Sequence, residues 1–174
     1  HIGACHRHDC VLALLLIDLN SFKHINETLG HEQGDQLLKQ IAQRLNASLN
    51  DNETFSRLGG DEFILISPRT NETQALARAE GLLLLLDAPF RINDTDIIVG
   101  ASIGIAAYPQ HGTDTSTLMR HADMAMYTAK LNKLGVALYN PEVDTSSLSQ
   151  LTLATDLRKA LEEQQFELHY QPKI

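Results

Sequence analysis

Two adjacent acids behind a pair of glycines form the segment of this chain best suited to chemistry. Gly59 and Gly60 stand before Asp61 and Glu62, and an apolar run follows at 63–66. Glycine permits a tight or positive-φ turn and lets a phosphate approach the backbone, and neighbouring carboxylates supply the hard oxygen ligands of Mg²⁺. The segment indicates a metal-and-phosphate turn; an ordinary hairpin turn with solvated acids is the alternative.

A second acid, Asp18, follows the apolar run at 11–17. A continuous apolar run of this length is typical of a strand covered on both faces, and α/β proteins place ligands at the ends of such strands. Asp18 and Asp61 can then share one metal site, completed by the Leu19 carbonyl and the oxygens of a bound nucleotide. The alternative is that Asp18 only ends the strand or caps the next helix.

Four motifs follow one another along the chain. Residues 59–63 read G-G-D-E-F, and residues 18–35 match the pattern D-x-x-x-F-K-x-I-N-x-x-x-G-H-x-x-G-D. Residues 102–106 read S-I-G-I-A, and residues 122–130 read A-D-M-A-M-Y-T-A-K. In these motifs and their order the chain resembles the GGDEF family of diguanylate cyclases, and the resemblance covers most of its length.

The resemblance implies condensation of two GTP molecules into cyclic di-GMP, with pyrophosphate released at each of two bonds. It implies Mg²⁺, or Mn²⁺ in its place, held by Asp18, Asp61 and Glu62 with the Leu19 carbonyl assisting. Such metals neutralise triphosphate charge and stabilise the leaving pyrophosphate. Asp61 and Glu62 are the catalytic residues by this resemblance, and Asp61 is the candidate acceptor of the 3′-hydroxyl proton. A homodimer is implied, because one half-site presents one GTP.

The substrate contacts are implied in the same way. Asn26 and Asp35 would read guanine, since an amide can pair with its acceptor edge and a carboxylate accepts from its N1–H and amino group. The alternative for both is helix-end chemistry. The resemblance implies that the phosphates are contacted by Lys23, Lys130, the turn at Gly59 and Gly60, and the backbone from Asn20 to Phe22 at a helix start.

Three substitutions depart from the family pattern. Leu134 stands where a phosphate-binding arginine is common after A-K-x-x-G, and Lys133 lies one position away. Loss of that cation predicts modest GTP affinity or slow turnover, at a cost of about 1–3 kcal/mol if no neighbour replaces it. Asn20 and Glu27 replace aspartates of the first block, which is a milder change.

The family's product-inhibition motif, R-x-x-D, is absent from its usual position before the glycine turn. The chain has Asn50–Asp51–Asn52–Glu53 there. Without an arginine to hold a phosphate or stack on guanine, we expect no high-affinity inhibitory cyclic di-GMP site at this location.

Domain boundaries are expected at 140 and 150. Residues 1–140 are assigned to the GGDEF domain without its usual N-terminal segment, and 141–149 to a linker. Residues 157–174 resemble the opening of an EAL phosphodiesterase domain, so 150–174 are assigned to a linker helix and the first strand of that domain. We expect the chain to be an excerpt of a longer sensor–GGDEF–EAL protein.

Composition limits the classes of protein that fit. The 174 residues suggest one domain, and a hydrophobic content of 43% suffices for a core. The longest apolar runs are much shorter than the ~20 residues of a membrane helix, so we expect no direct membrane contact. A net charge of −8 does not favour nucleic acid as a partner. The two cysteines fit a reducing cytoplasm, and residues 5–10 are read as a helix end rather than a zinc site.

Hydrophobic periodicity predicts alternating elements and an α/β fold. Strands are expected at 11–17, 54–58, 62–67, 97–108 and 136–139, and helices at 21–29, 34–49, 72–87, 115–131 and 150–164. This pattern predicts a central mixed sheet surrounded by helices. The family resemblance narrows it to the palm-like fold of nucleotidyl cyclases and polymerases.

Three functions remain open. The domain is an active cyclase working as a transient homodimer, or a GTP-binding module that tunes an attached EAL domain, or a structural spacer. The retained motif residues argue against the spacer. Catalysis is favoured over simple binding, because a pure binder would not need both metal-holding acids, Asp18 and Asp61.

Overall fold

The structure is a computed structural model that describes residues 11–142. The elements alternate along the chain as follows: β1 Leu12–Leu19, α1 Phe22–Leu29, α2 His31–Asn46, β2 Thr54–Gly59, β3 Glu62–Pro68, α3 Glu72–Asp87, β4 Phe90–Ile92, β5 Thr95–Ile97, β6 Ala101–Tyr108, α4 Thr115–Leu131 and β7 Val136–Leu138. These elements belong to one compact unit that ends at Tyr139. The expectations for residues 5–10 and for 150–174 lie outside the described residues.

A five-stranded mixed sheet forms the centre of the fold. Its strand order is β2-β3-β1-β6-β7, and a separate two-stranded sheet joins β4 to β5. β1 pairs antiparallel with both β3 and β6, while β6 pairs parallel with β7. The expected mixed sheet with surrounding helices is confirmed.

The two faces of the sheet carry different helices because successive residues of a strand point to opposite faces. Leu15 and Ile17 of β1 join a core that includes buried residues of α2 and α3. Leu14 and Leu16 join a second core with buried residues of α4. Every residue of β1 is buried, as expected for a strand covered on both faces.

α4 approaches the sheet closely at Gly104 of β6. A Cβ atom at this position would lie 2.0 Å from the carbonyl oxygen of Ala122 and 2.1 Å from the amide nitrogen of Met126. Only a residue without a side chain allows that approach. The height of α4 above the sheet is therefore set by backbone contact. Two charged side chains on α4 and one in the turn that follows it lie near the site described below.

Most predicted elements are present, with shifted ends. β1 extends two residues further than expected and includes Asp18, and α2 begins at His31 rather than at 34. The prediction of one strand over 97–108 was wrong at its start. The chain instead forms the β4–β5 hairpin and then a break at 98–100 before β6.

Contacts with α2 explain the hairpin that periodicity missed. Arg44 donates to the carbonyl oxygens of Leu85, Ala88 and Pro89 and lies over the Phe90 ring, 3.6 Å from its centroid. Gln40 donates to the carbonyl of Arg91. Strands of three residues carry little periodic signal, and these stabilising contacts come from residues 41 to 51 positions away in sequence.

No helix within residues 11–142 is long and apolar enough to cross a membrane.

Candidate active site

The acids predicted to share a site lie where β1, β3 and the β2–β3 turn meet. Asp18, near the end of β1, is paired in register with Glu62 on β3 and with Ser102 on β6. Asp18 is buried, with 8% of its surface exposed. Directly opposite residues of antiparallel strands have Cβ atoms about 5 Å apart, so the Asp18 and Glu62 carboxylates are neighbours.

The turn that carries Asp61 is held by hydrogen bonds to the carbonyl groups of two of its residues. The Arg57 guanidinium donates twice to the Gly60 carbonyl, from Nε at 3.0 Å and from Nη2 at 2.6 Å. The Leu19 amide donates to the Asp61 carbonyl at 3.2 Å, which ties the turn to the end of β1. A bulge in β2 between Arg57 and Gly59 accompanies this arrangement.

The two glycines leave the turn open. Gly60 has φ 54°, a conformation that favours glycine, and a Cβ at Gly59 or Gly60 would have no heavy atom within 4 Å. The space above both residues is therefore free for a ligand. This is the geometry expected of a turn that a phosphate approaches.

Lys130 reaches the acidic cluster from α4. Its Nζ donates to Asp18 Oδ1 at 2.5 Å, although the two residues are 112 positions apart in sequence. This ammonium is the counter-ion of the cluster. Asp18 and Lys130, which were predicted to belong to one site, are thus in direct contact.

The cluster carries an excess of negative charge. Burial raises the pKa of the Glu62 carboxyl above its ordinary value. Three neighbouring carboxylates raise this pKa further, in decreasing order Asp18, Asp123 and Asp61, and the Lys130 ammonium opposes them. Asp123 was not among the predicted site residues. Its signal was present, because it lies in the same motif as Lys130, two helical turns earlier.

These residues fit a divalent cation that a nucleotide helps to hold. Among the described residues, no three side chains of the His, Cys, Asp and Glu types form a ready-made metal site. Mg²⁺ needs only one or two protein carboxylates when substrate phosphates complete its shell. Asp18 and Glu62 are hard oxygen donors side by side, and Lys130 does not balance the charge of the four acids.

The residues expected to read guanine lie at the α1–α2 junction. The Asn26 Oδ1 atom is buried and has no hydrogen-bond partner among the described residues. It lies against Gly34, where a Cβ would approach it to 1.8 Å, and Asp35 is the next residue, exposed on α2. A buried oxygen without a partner among the described residues, beside an exposed carboxylate, suits a polar ligand.

Two of the residues expected to bind substrate, Phe22 and Lys23, have side chains that lie away from the acidic cluster. Phe22 is buried in the core with 6% of its surface exposed, so its ring packs beneath this junction and offers no binding surface. The Lys23 side chain is 91% exposed and lies 3.9 Å from Glu27 one helical turn away. Neither side chain lines the cleft beside Asp18.

That cleft has a volume of about 440 Å³ and is lined by polar side chains. Its wall includes Asn20, Ser102, Lys130 and Lys133. Asn20 is held in place by two hydrogen bonds. Its backbone amide donates to the Gly100 carbonyl, and its side-chain Oδ1 accepts from Ser102 Oγ at 2.9 Å. Leu134 does not line the cleft and is 61% exposed.

The position of the missing inhibition motif is occupied by an internal ion pair. Arg78 of α3 donates to both carboxylate oxygens of Glu53, and the two side chains are 17% and 3% exposed. Arg78 also donates to the Ser48 carbonyl, and Ser67 donates to Glu53. Glu53 is thus fully engaged; the absence of an inhibitory site stays a prediction.

Comparisons with known proteins agree on the family. A family model described as "Diguanylate cyclase, GGDEF domain" matches residues 1–135. The chain is 40% identical over 164 residues to the cyclic di-GMP phosphodiesterase PdeR of Escherichia coli, covering 94% of this chain and 25% of PdeR. It is also 40% identical over 169 residues to the bifunctional diguanylate cyclase/cyclic di-GMP phosphodiesterase MucR of Pseudomonas aeruginosa, covering 97% of this chain and 25% of MucR.

A solved structure supports the same assignment. The GGDEF domain of TpbB (YfiN) from Pseudomonas aeruginosa superposes with a TM-score of 0.77 at 37% identity, covering 80% of this chain and 88% of that one. The expected palm-like α/β fold is confirmed by this match. The chain spans about a quarter of the length of the two curated relatives.

Proposed function

The chain belongs to the GGDEF family of diguanylate cyclases, and from that premise we propose that it condenses two molecules of GTP into cyclic di-GMP and two of pyrophosphate. The observation that carries the proposal is the convergence of Asp18, Glu62 and Lys130 beside the open Gly59–Gly60 turn. We propose further that residues 1–140 are this domain, that 141–149 are a linker, and that 150–174 open an EAL domain of a longer protein that also carries a sensor domain.

Asp18, Asp61 and Glu62 would hold Mg²⁺ or Mn²⁺, assisted by the Leu19 carbonyl. The bound metal would lower the pKa of the attacking 3′-hydroxyl and neutralise charge on the leaving pyrophosphate. In each condensation the 3′-oxygen of one GTP forms a bond to the α-phosphorus of the other, and the bond from that phosphorus to pyrophosphate breaks. We assign the acceptance of the hydroxyl proton to Asp61, and the hydrogen bond from the Leu19 amide to the Asp61 carbonyl supports this role by holding the turn against the end of β1.

The other residues position the nucleotide. Lys130, which contacts Asp18, would supply positive charge to the phosphate chain, and the open turn at Gly59 and Gly60 would admit that chain. Asn26 and Asp35 pair with guanine. Adenine lacks the donor pair that Asp35 would accept, so a site built on that carboxylate discriminates strongly against ATP.

Catalysis needs two copies of the domain. Each site presents one GTP, and the two new bonds of the product require two antiparallel substrates. A homodimer is therefore part of the proposal.

A second candidate is a GTP-binding module that regulates an attached EAL domain. Leu134 favours it, because this exposed side chain replaces a phosphate-binding arginine of the family. PdeR, a relative at 40% identity, is named for phosphodiesterase activity. In this case the domain would bind GTP with the same residues and form little or no product.

One experiment separates the candidates. The chain is incubated with GTP and Mg²⁺, product is measured by chromatography, and GTP and ATP binding are measured by calorimetry. We expect cyclic di-GMP from the wild type, a loss of at least about 100-fold in Asp61→Asn, and no product from ATP. Asp94→Asn is the control, because Asp94 is a fully exposed acid on the β4–β5 turn and loses the same charge.

Each outcome has a distinct meaning. GTP binding without product, in a chain shown to dimerise, supports the regulatory module and contradicts the cyclase. Failure to bind GTP at all contradicts both.

A further inference from the structure

The turn that follows α4 contains a lysine in a backbone conformation that is usually adopted by glycine. Lys133 has φ 54°, in the left-handed region. The Leu134 amide donates to the Ala129 carbonyl at 2.9 Å, and the Lys133 amide donates to the Lys130 carbonyl at 3.3 Å. These two bonds define a Schellman motif, in which the residue at the left-handed position is usually glycine because Cβ approaches the backbone there.

Two substitutions coincide at this helix end. The family pattern A-K-x-x-G-R places glycine at 133 and arginine at 134, whereas this chain has lysine and then leucine. Lysine in the left-handed conformation destabilises the folded state relative to glycine. Strained residues of this kind concentrate at functional sites, where the surrounding structure holds them in place.

Lys133 lies in the wall of the cleft beside Asp18. Lys133 lines the cleft together with Lys130, while Leu134 lies outside it. Lys130 is paired with Asp18. No carboxylate within residues 11–142 forms a salt bridge with Lys133, so its charge is available to a ligand.

We propose that Lys133 contacts the phosphate chain of GTP and supplies the positive charge that Leu134 lacks. This inference rests on the proposed binding of GTP. It revises the expectation of weak GTP affinity, because the missing arginine is replaced from the neighbouring position by a lysine that lines the cleft.

The test uses the opposite effects expected on binding and on stability. Lys133→Gly removes the charge and relieves the strain, so we expect about tenfold weaker binding of GTP and of inorganic pyrophosphate in the presence of Mg²⁺. The melting temperature of the same variant should rise by about 2–4 °C. A purely structural role for Lys133 would leave both affinities unchanged.

Three further variants sharpen the comparison. Lys133→Asn keeps a residue that tolerates the left-handed conformation and loses the charge, and should weaken binding as Lys133→Gly does. Lys39→Ala removes one exposed charge on α2, away from the cleft, and should leave binding unchanged. The double variant Lys133→Gly with Leu134→Arg restores the family arrangement and should recover the lost affinity.

The outcomes separate this inference from the proposed function. Wild-type affinity in Lys133→Gly, or an equal loss in Lys39→Ala, overturns the role of Lys133. If the wild type binds pyrophosphate but not GTP, and Lys133→Gly weakens that binding, the contact with phosphate stands while the proposed function fails. If the wild type binds neither probe, both fail.

Discussion

At the level of single residues, the candidate active site has an excess of negative charge. Asp18, Asp61, Glu62 and Asp123 interact electrostatically, and Lys130 is the one cation that the structure places in contact with them within residues 11–142. Burial raises the pKa of Glu62, and repulsion from the carboxylates of Asp18, Asp123 and Asp61 raises it further. A divalent cation brought by a nucleotide would relieve this repulsion, so metal and substrate are expected to bind together.

The buried pair of Glu53 and Arg78 yields a prediction at the same scale. Burial by itself would raise the pKa of Glu53, but hydrogen bonds from Arg78 and the Asn50 amide outweigh it, and the pKa is lowered. We expect Glu53→Gln to reduce the free energy of unfolding by about 3 kcal/mol at pH 7, because it leaves the buried Arg78 without its counter-charge. Urea unfolding measures this difference.

The sign of the pH dependence follows from the lowered pKa. Glu53 contributes its stability above its ordinary pKa of 4.5 and loses it as the pH falls through the lower value of the folded state. The gap between wild type and Glu53→Gln should therefore shrink below pH 4.5. Glu80→Gln, an exposed acid on α3, should change stability little at any pH. A gap of constant size across this range would contradict the assignment.

Among the elements, α4 connects the core to the site. One face of this helix packs Leu118, Ala122 and Met126 against the sheet. Its other positions bring Asp123 and Lys130 to the acidic cluster, and its C-terminal turn presents Lys133 to the cleft. The position of three functional side chains thus depends on how closely one helix approaches β6.

Gly104→Ala tests that dependence. The added methyl group would meet the backbone of Ala122 and Met126, which cannot move aside as a flexible side chain can. We expect a loss of about 2–3 kcal/mol in the free energy of unfolding and weaker GTP binding, because α4 must shift away from the sheet. Urea unfolding and calorimetry are the measurements.

Gly81→Ala provides the matched control. Gly81 lies within α3, and a Cβ there would meet nothing within 4 Å. Alanine should stabilise this helix by about 0.5–1 kcal/mol without changing GTP binding. If Gly104→Ala behaved in the same way, the close approach of α4 would not govern the site.

At the scale of the whole molecule, the proposed reaction requires two domains to meet. Within residues 11–142 one such acidic cluster is present, whereas the product contains two nucleotides. If the dimer is transient, cyclic di-GMP formed per chain should rise about in proportion to chain concentration until dimerisation saturates. Initial rates over a wide range of concentration, with sedimentation velocity in parallel, measure this. Constant activity per chain in a sample that sedimentation shows to be monomeric would contradict the dimer.

The motifs of the sequence determined the family and the fold class, and they supplied most residues of the candidate site. They could do so because each motif is local: the glycine turn, the acid near the end of β1 and the lysine of α4 are recognised from their immediate neighbours. Long periodic elements were also predictable, since a buried strand or an amphipathic helix imposes its period on consecutive residues.

Tertiary structure alone decided which side chains meet. The bond from Lys130 to Asp18, the proximity of Asp123 to Glu62 and the pairing of Arg78 with Glu53 each join separate elements. The β4–β5 hairpin likewise depends on Arg44 of α2. Such contacts are determined by strand register, by the distance between helix and sheet, and by backbone conformation at single residues. None of these produces a periodic pattern in the sequence. The left-handed backbone at Lys133 is one example, because only the folded structure shows that this lysine lines the cleft.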